Sequence, residues 1–309
     1  MESLLVVGVD TVVGANIAAS LAERYRVSTW SSGYRYDIAN CTALDPADAP
    51  HQITANVRPD WVIHCGPAAR SAWDPRSKPL ITDSIVEDVR EWSTLARQAG
   101  SRFSMISSDS VFTGPWMFHE EDSPGLCHSL QAITIRAAED QVREISPEAM
   151  IIRTNVFGWS PNHKRSGWVE TMLAEIEARR IVSQDHIRHS TPILATDLAE
   201  ILDRAHQENL EGTFHVGGAE RVSPLKFAQR LADQFDRPWL ALRRETTLNE
   251  AAHGFGAGEC SLQTKKIRKA LCVAMPLLSE GLARLEAQHV NGYRERLTGA
   301  STPVQLRAA

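Results

Sequence analysis

Over roughly the first 160 residues, short apolar runs alternate with longer stretches whose apolar residues return every three or four positions. That alternation predicts strands and helices in turn. LLVVGV (4–9), RVSTW (26–30), WVIHCG (61–66), RFSMISS (102–108) and MIIRTNVFG (150–158) read as strands. ANIAASLAERY (15–25), LITDSIVEDVREWSTLARQAG (80–100, closing on a glycine) and TIRAAEDQVREI (134–145) read as helices. Strands whose apolar runs are continuous rather than alternating are buried on both faces. The expected fold class is therefore α/β, a doubly wound parallel sheet with helices on either side. Beyond residue 160 the order loosens. Segment 166–181, TDLAEILDRAHQ (196–207) and SPLKFAQRLADQF (223–235) read as helices, TFHVGG (213–218) as a strand, and TKKIRKAL and LLSEGLARLEAQ as closing elements.

Composition narrows the class without naming a function. The 309 residues are 43% hydrophobic and 23% charged, as in ordinary globular proteins. A net charge of -5 leaves no basic surplus for phosphate backbones, so no nucleic-acid partner is expected. MESLLVVGVD reads as a buried strand rather than a signal peptide. No apolar run approaches the roughly 20 residues that span a bilayer, so no membrane association is expected either. Cys41, Cys65, Cys127, Cys260 and Cys272 are scattered, odd in number and in no CxxC spacing. A reduced, cytoplasmic protein without structural metal is the expectation.

Two stretches carry candidate chemistry. Gly8-Val9-Asp10-Thr11-Val12-Val13-Gly14 lies where a strand turns into a helix, and keeps the outer glycines of a GxxGxxG spacing. Such glycines let backbone N–H groups approach a pyrophosphate at a helix N-terminus. Thr11 stands at the middle glycine position, where a side chain would obstruct or shift the diphosphate. A generic βα turn reads the same way. After the second strand, Ser31, Ser32 and Arg35 precede the first carboxylate, Asp37, a pattern that leans toward a 2′-phosphate and so toward NADP over NAD. SMISSDSVFTG (104–114) ends an apolar strand in hydroxyls and one carboxylate, Asp109, read as a turn-stabilising residue.

Together these segments resemble the extended short-chain dehydrogenase/reductases, in particular the dTDP-4-dehydrorhamnose reductase group. The resemblance rests on the Gly8–Gly14 loop, DIAN, RPDWVIHCGPAA (58–69), SSDSVFTG (107–114), EEDSP (120–124), RTNVFGW (153–159), STPILATDLAEIL (190–202), GTFHVGGAERVSPLKFAQRLA (212–232) and SLQTKKIRKAL (261–271), in family order. It implies a Rossmann domain binding NAD(P) over 1–160 and a smaller nucleotide-sugar-binding lobe over 161–297, the chain crossing between them, with a loose tail at 298–309. It also implies cofactor contacts at Gly8, Thr11, Val12, Val13, Gly14, Ser31, Ser32 and Arg35. Asp37 and Ile38 would lie near the adenine, Cys65, Gly66 and Pro67 beside the ribose, and Asn155, Val156 and Phe157 around the nicotinamide.

The family's proton donor is a Tyr assisted by a Lys four residues later, with a strand hydroxyl on the same oxygen. Ser108 matches that hydroxyl. Setting Ala138-Glu139 on the family's small-Glu pair puts Gln131 at the Tyr position and Ile135 at the Lys position. No shift of register restores them, because the sequence has no Lys between Lys78 and Lys164 and no Tyr between Tyr36 and Tyr293. Gln131 cannot donate a proton near neutral pH and Ile135 carries no charge.

The leading expectation is therefore a nucleotide- or nucleotide-sugar-binding scaffold, as a homo-oligomer or with a regulated protein partner. One branch of the wider family serves as the regulatory subunit of methionine adenosyltransferase. The alternative is an atypical oxidoreductase on a nucleotide-sugar or other small carbonyl compound, with His128, Ser108 or an ordered water as substitute acid. A hydrolase at Ser108 is remote, since no GxSxG elbow surrounds it. Asp185, His186 and His189 read as a surface loop rather than a metal cluster.

Overall fold

The computed structural model describes residues 1–162, 166–238, 242–244 and 255–299. Parallel strands β1 (Ser3–Val7), β2 (Arg26–Trp30), β3 (Thr42–Ala43), β4 (Trp61–His64), β5 (Arg102–Ser108), β6 (Met150–Thr154) and β10 (Gly212–His215) form a seven-stranded sheet. Its order is β10-β6-β5-β4-β1-β2-β3. Every pairing is parallel, from Leu4 opposite Trp61 to Phe214 opposite Ile152. This is the α/β, Rossmann-like architecture expected from the alternating pattern.

Side chains along a strand point alternately to the two faces, and the core divides accordingly. Leu4, Val6, Ile63, Ile106 and Ile152 belong to one apolar cluster, while Leu5, Val7, Val62, Met105 and Ile151 belong to the other. Helix α1 (Val12–Leu21) and helix α6 (Ala195–Gln207) supply Ile17, Leu198 and Leu202 to the first. Helices α2 (Pro50–Val57), α3 (Ser84–Ala99) and α4 (Leu130–Ile145) supply Ile53, Trp92 and Val142 to the second. Burial on both faces is why these strands have no polar alternation. Among the described residues, no helix is long and apolar enough to cross a membrane.

The remaining elements are β7 (Val156–Phe157), α5 (Trp168–Glu177), β8 (Val182–Gln184), β9 (Ile193–Leu194), α7 (Pro224–Gln234), β11 (Leu242–Arg244), α8 (Lys265–Leu271), α9 (Leu278–Val290) and α10 (Tyr293–Thr298). Three differences from the sequence pattern matter. The run expected as one strand over 150–158 breaks at Asn155, whose side chain is tied into a polar cluster. β7 then leaves the sheet to pair with β9. The two-residue strand β3 and helix α2 have no apolar signature of their own and were not expected. The expected loose tail begins inside α10, which runs to Thr298; residues 300–309 lie outside the described residues.

Candidate functional site

The strand order reverses direction between β1 and β4, and in open α/β sheets the carboxyl ends at such a point form a ligand crevice. Gly8 ends β1 there with φ at +85°, and a Cβ on it would lie 2.3 Å from the carbonyl oxygen of Cys65 at the end of β4. Only glycine permits that approach. A Cβ on Gly14 would likewise fall 2.4 Å from the Gly8 carbonyl oxygen. The loop is thus drawn tight against the sheet, with α1 starting directly above it.

Thr11 does not stand in this crevice. It is 1% exposed. Its hydroxyl donates to the Gly8 carbonyl at 2.7 Å, lies 3.2 Å from the Cys65 carbonyl and accepts from the Gly14 N–H at 3.0 Å. It is the N-cap of α1, so the side chain replacing the middle glycine is spent on closing the loop from inside. The first-turn N–H groups of Val12 and Val13 have no acceptor within the helix by geometry.

On the β2 side, the Gly8 N–H donates to the Trp30 carbonyl at 2.8 Å. Ser31 is buried and its hydroxyl donates to the Tyr34 carbonyl, whereas Ser32 and Arg35 are exposed. Arg35 pairs with Asp37 at 3.0 Å. Asp37 and Ile38 are not at the strand ends, contrary to the expectation for an adenine site. Ile38 is buried in the α1-side core, the Ala39 N–H donates to the Arg296 carbonyl, and the Asp37 backbone abuts Gly299 beyond α10. Register explains it: Thr42 pairs with Ser28 midway along β2, so residues 38–41 run beside the strand's lower half. Asp45, after β3, is the carboxylate at the upper end, where its carbonyl accepts the Trp30 indole N–H at 3.2 Å.

Beyond β4, Cys65 is fully buried and burial pushes its thiol far above the ordinary range. A Cβ on Gly66 would clash with the His64 ring at 2.6 Å. Pro67 opens a single 3-10 turn that ends at Arg70. Arg70 reaches back across the crevice to Asp10 of the glycine loop, Nη2 to Oδ2 at 2.6 Å. Neither residue of this pair was singled out from the sequence.

At the end of β5, Ser108 is 2% exposed and accepts the Ser110 N–H at 3.1 Å. Asp109 lies beneath it, 3.5 Å from Ser108 Oγ and itself 1% exposed. The Asp109 carboxylate accepts from the Ser110 hydroxyl at 3.1 Å, from Asn155 Nδ2 at 3.2 Å and from the Ser190 hydroxyl. Asn155 in turn accepts from the Ser71 hydroxyl at 2.7 Å. Burial pushes Asp109 up to about 6 against these donors. Asp109 is therefore more than a turn stabiliser: it joins β5, the β6–β7 break, and the segments around Ser71 and Ser190. Val156 and Phe157 are buried; Phe157 turns away to pack on Phe227 at 5.1 Å.

Gln131, half-buried, and Ile135, fully buried, lie on the first turns of α4. Ile135 joins the core cluster with Ala68, Ile85 and Val111. The next residue, Arg136, donates to the Cys127 carbonyl at 2.7 Å and the Val111 carbonyl at 3.3 Å, so its charge holds the loop that follows Ser108. His128 is exposed ahead of the helix. Asp185 caps its own loop and pairs with Arg188, and His186 meets Arg244.

A family profile described as the RmlD substrate binding domain matches residues 1–290. Methionine adenosyltransferase 2 subunit beta of Danio rerio is 25% identical over 209 residues, covering 64% of this chain and 62% of that protein. The Rattus norvegicus subunit is 26% identical over 207 residues, covering 64% and 61%. The chain thus spans less than two thirds of the length of these curated relatives. Among solved structures, dTDP-4-dehydrorhamnose reductase from Bacillus anthracis in complex with NADP superposes with a TM-score of 0.77 at 20% identity, covering 93% of this chain and all of that one. The Bordetella bronchiseptica enzyme WbmH in complex with NAD+ gives 0.75 at 17% identity, over 94% of this chain and 100% of that chain. These superpositions show the shared fold.

Proposed function

Since the chain belongs to the RmlD substrate binding domain family, we propose that it binds a nicotinamide dinucleotide and a nucleotide-sugar-like ligand as a scaffold from which the ordinary reductase chemistry has been lost. The observation that supports this reading is the composition of the chain between β4 and β7: no Tyr stands between Tyr36 and Tyr293 and no Lys between Lys78 and Lys164, and the helix α4 carries Gln131 and Ile135 at the positions the resemblance assigns to that pair. The chain's tyrosines do not compensate. Tyr25 is bonded to Asp203 at 2.6 Å and Tyr293 to Asn16 at 3.1 Å. Tyr34 and Tyr36 stand in the connection after β2, and β1 and β4 separate that strand from β5. Losing a positioned acid costs on the order of 10²–10⁴-fold in rate.

The phosphate half of the crevice, in contrast, fits a dinucleotide. The Gly8 and Gly14 contacts leave the loop no bulk, Thr11 is turned inward, and the amides of Val12 and Val13 face the N-terminal end of α1. Ser31 and the Asp45 region would border the adenosine, and Cys65, Gly66 and Pro67 the ribose side. When bound, the nicotinamide ring would supply a hydride to a carbonyl; this chain's own part is to hold, orient and shield. The relatives named as beta subunits of methionine adenosyltransferase 2 support a regulatory partner. Whether the preference is NADP or NAD is decided around Ser32 and Arg35.

One observation favours the second reading, an atypical oxidoreductase. Asp109, pushed up to about 6 by burial, lies 3.5 Å from Ser108 Oγ, so below about pH 6 a protonated carboxyl would stand beside the strand hydroxyl. Calorimetric titration with NADPH and NADH, followed by turnover with a 4-keto-sugar nucleotide, separates the two. Binding without oxidation supports the scaffold. Turnover that disappears in Ser108→Ala would establish the enzyme instead.

A further inference from the structure

A carboxylate is an odd occupant for a diphosphate loop. Asp10 lies one residue ahead of the α1 N-cap, where the helix dipole favours negative charge, and it would repel an incoming diphosphate. It is held by Arg70, which comes from the other wall of the same crevice, the loop after β4. The two side chains are 37% and 24% exposed, so the pair lies at the mouth rather than in the core. The guanidinium is also incompletely served. One Nη donates to Asp10, while Nε–H is buried without a hydrogen-bond partner among the described residues. A buried donor left unmade is costly, and a half-exposed ion pair contributes little. The arrangement is therefore easily exchanged for a better anion. A diphosphate presents several acceptor oxygens to a guanidinium fork.

We propose that Asp10 and Arg70 form a latch across the dinucleotide crevice: Asp10 is a resident stand-in for the diphosphate, and Arg70 transfers from Asp10 to the ligand's phosphates on binding. This rests on the dinucleotide-binding reading and adds to it the group that recognises the phosphates and the group that competes with them. The latch spans β1 and β4, the two strands between which the diphosphate must lie. Among the described residues, the bond to Asp10 is the only contact of the Arg70 guanidinium that opening the latch would break.

The test is calorimetric titration of the full chain with NADPH at two salt concentrations, for the wild type, Asp10→Asn and Arg70→Gln. The expected result is about tenfold tighter binding in Asp10→Asn and about tenfold weaker binding in Arg70→Gln, each worth ~1.4 kcal/mol. The salt dependence should also be shallower in Arg70→Gln, which a merely structural role would not produce. Urea unfolding checks that both variants remain folded. Binding in Asp10→Asn but not in the wild type also supports the latch, with the pair holding the site shut. If the wild type binds and neither variant shifts the affinity, the latch is overturned while the binding reading stands. If neither the wild type nor Asp10→Asn binds NADPH, both are overturned.

Discussion

Asp109 accepts a hydrogen bond from Ser190, 81 residues further along the chain, and neither reaches solvent. That bond ties the end of β5 to the segment leading into β9, and Asn155 donates to both partners, at 3.2 Å and 3.0 Å. The carboxyl thereby sits in a shell of hydroxyls and an amide, with no cation among its hydrogen-bond partners in the described residues to offset its burial.

Asp109 should make stability depend on pH in an unusual direction for an aspartate. Its folded value is raised from 3.8 to about 6. Its contribution is fully present below about pH 4 and is lost as pH rises through about 6, a change on the order of 2–3 kcal/mol. Urea unfolding of the wild type and Asp109→Asn at pH 4.5 and pH 7 should show the variant losing less, or gaining more, stability than the wild type on going to pH 7. Equal differences in the two proteins would show that Asp109 titrates as an ordinary carboxyl.

Glu139 presents the opposite case. Burial would raise it, but Arg153, with Nη2 at 2.6 Å, overrides burial and holds the carboxyl below the usual range. Ser107 adds a hydrogen bond at 2.6 Å. Arg153→Met should cost ~3–5 kcal/mol, because it leaves a buried carboxylate with the Ser107 hydroxyl and the half-exposed Arg143 as its partners. Ser107→Ala should cost ~1 kcal/mol. Thermal unfolding checks both, and a loss below ~1 kcal/mol in Arg153→Met would mean that Arg143 alone suffices.

Thr11→Val should separate the inward hydroxyl from any role in the crevice. Losing the cap should destabilise the protein by ~1 kcal/mol while leaving NADPH affinity within about threefold of the wild type. A marked gain in affinity for Thr11→Gly would show instead that the side chain had been in the ligand's way.

Gly8→Ala meets two obstacles at once, a left-handed backbone at φ +85° and a carbonyl oxygen 2.3 Å from the new Cβ. The expected cost is at least ~2 kcal/mol, with loss of dinucleotide binding. Gly33→Ala, also at positive φ but in open space, should cost less. Similar losses at both positions would show that backbone strain, not the approach to Cys65, sets the penalty.

The sheet was legible because its strands are buried on both faces, so LLVVGV, WVIHCG and RFSMISS each carry apolar residues that face opposite sides. Helix α3 was legible because one face alone meets the sheet. The absence of the Tyr–Lys pair was legible by counting, since no fold can create residues that are not in the chain. The two-residue β3 was not legible: it rests on pairing with β2 rather than on any pattern of its own, and without it Asp37-Ile38 looked like the upper strand end that Asp45 occupies. Thr11 read as an obstruction because a sequence records which side chain is present and not which way it points. Asp10 with Arg70, and Asp109 with Ser190, are 60 and 81 residues apart and carry no local signal. The sequence by itself determined the layers of the fold, through burial, and the lack of any Tyr between Tyr36 and Tyr293 or any Lys between Lys78 and Lys164, through composition. Only the tertiary structure decided which charges meet, because that depends on the parallel crossovers that bring distant strand ends to one edge of the sheet.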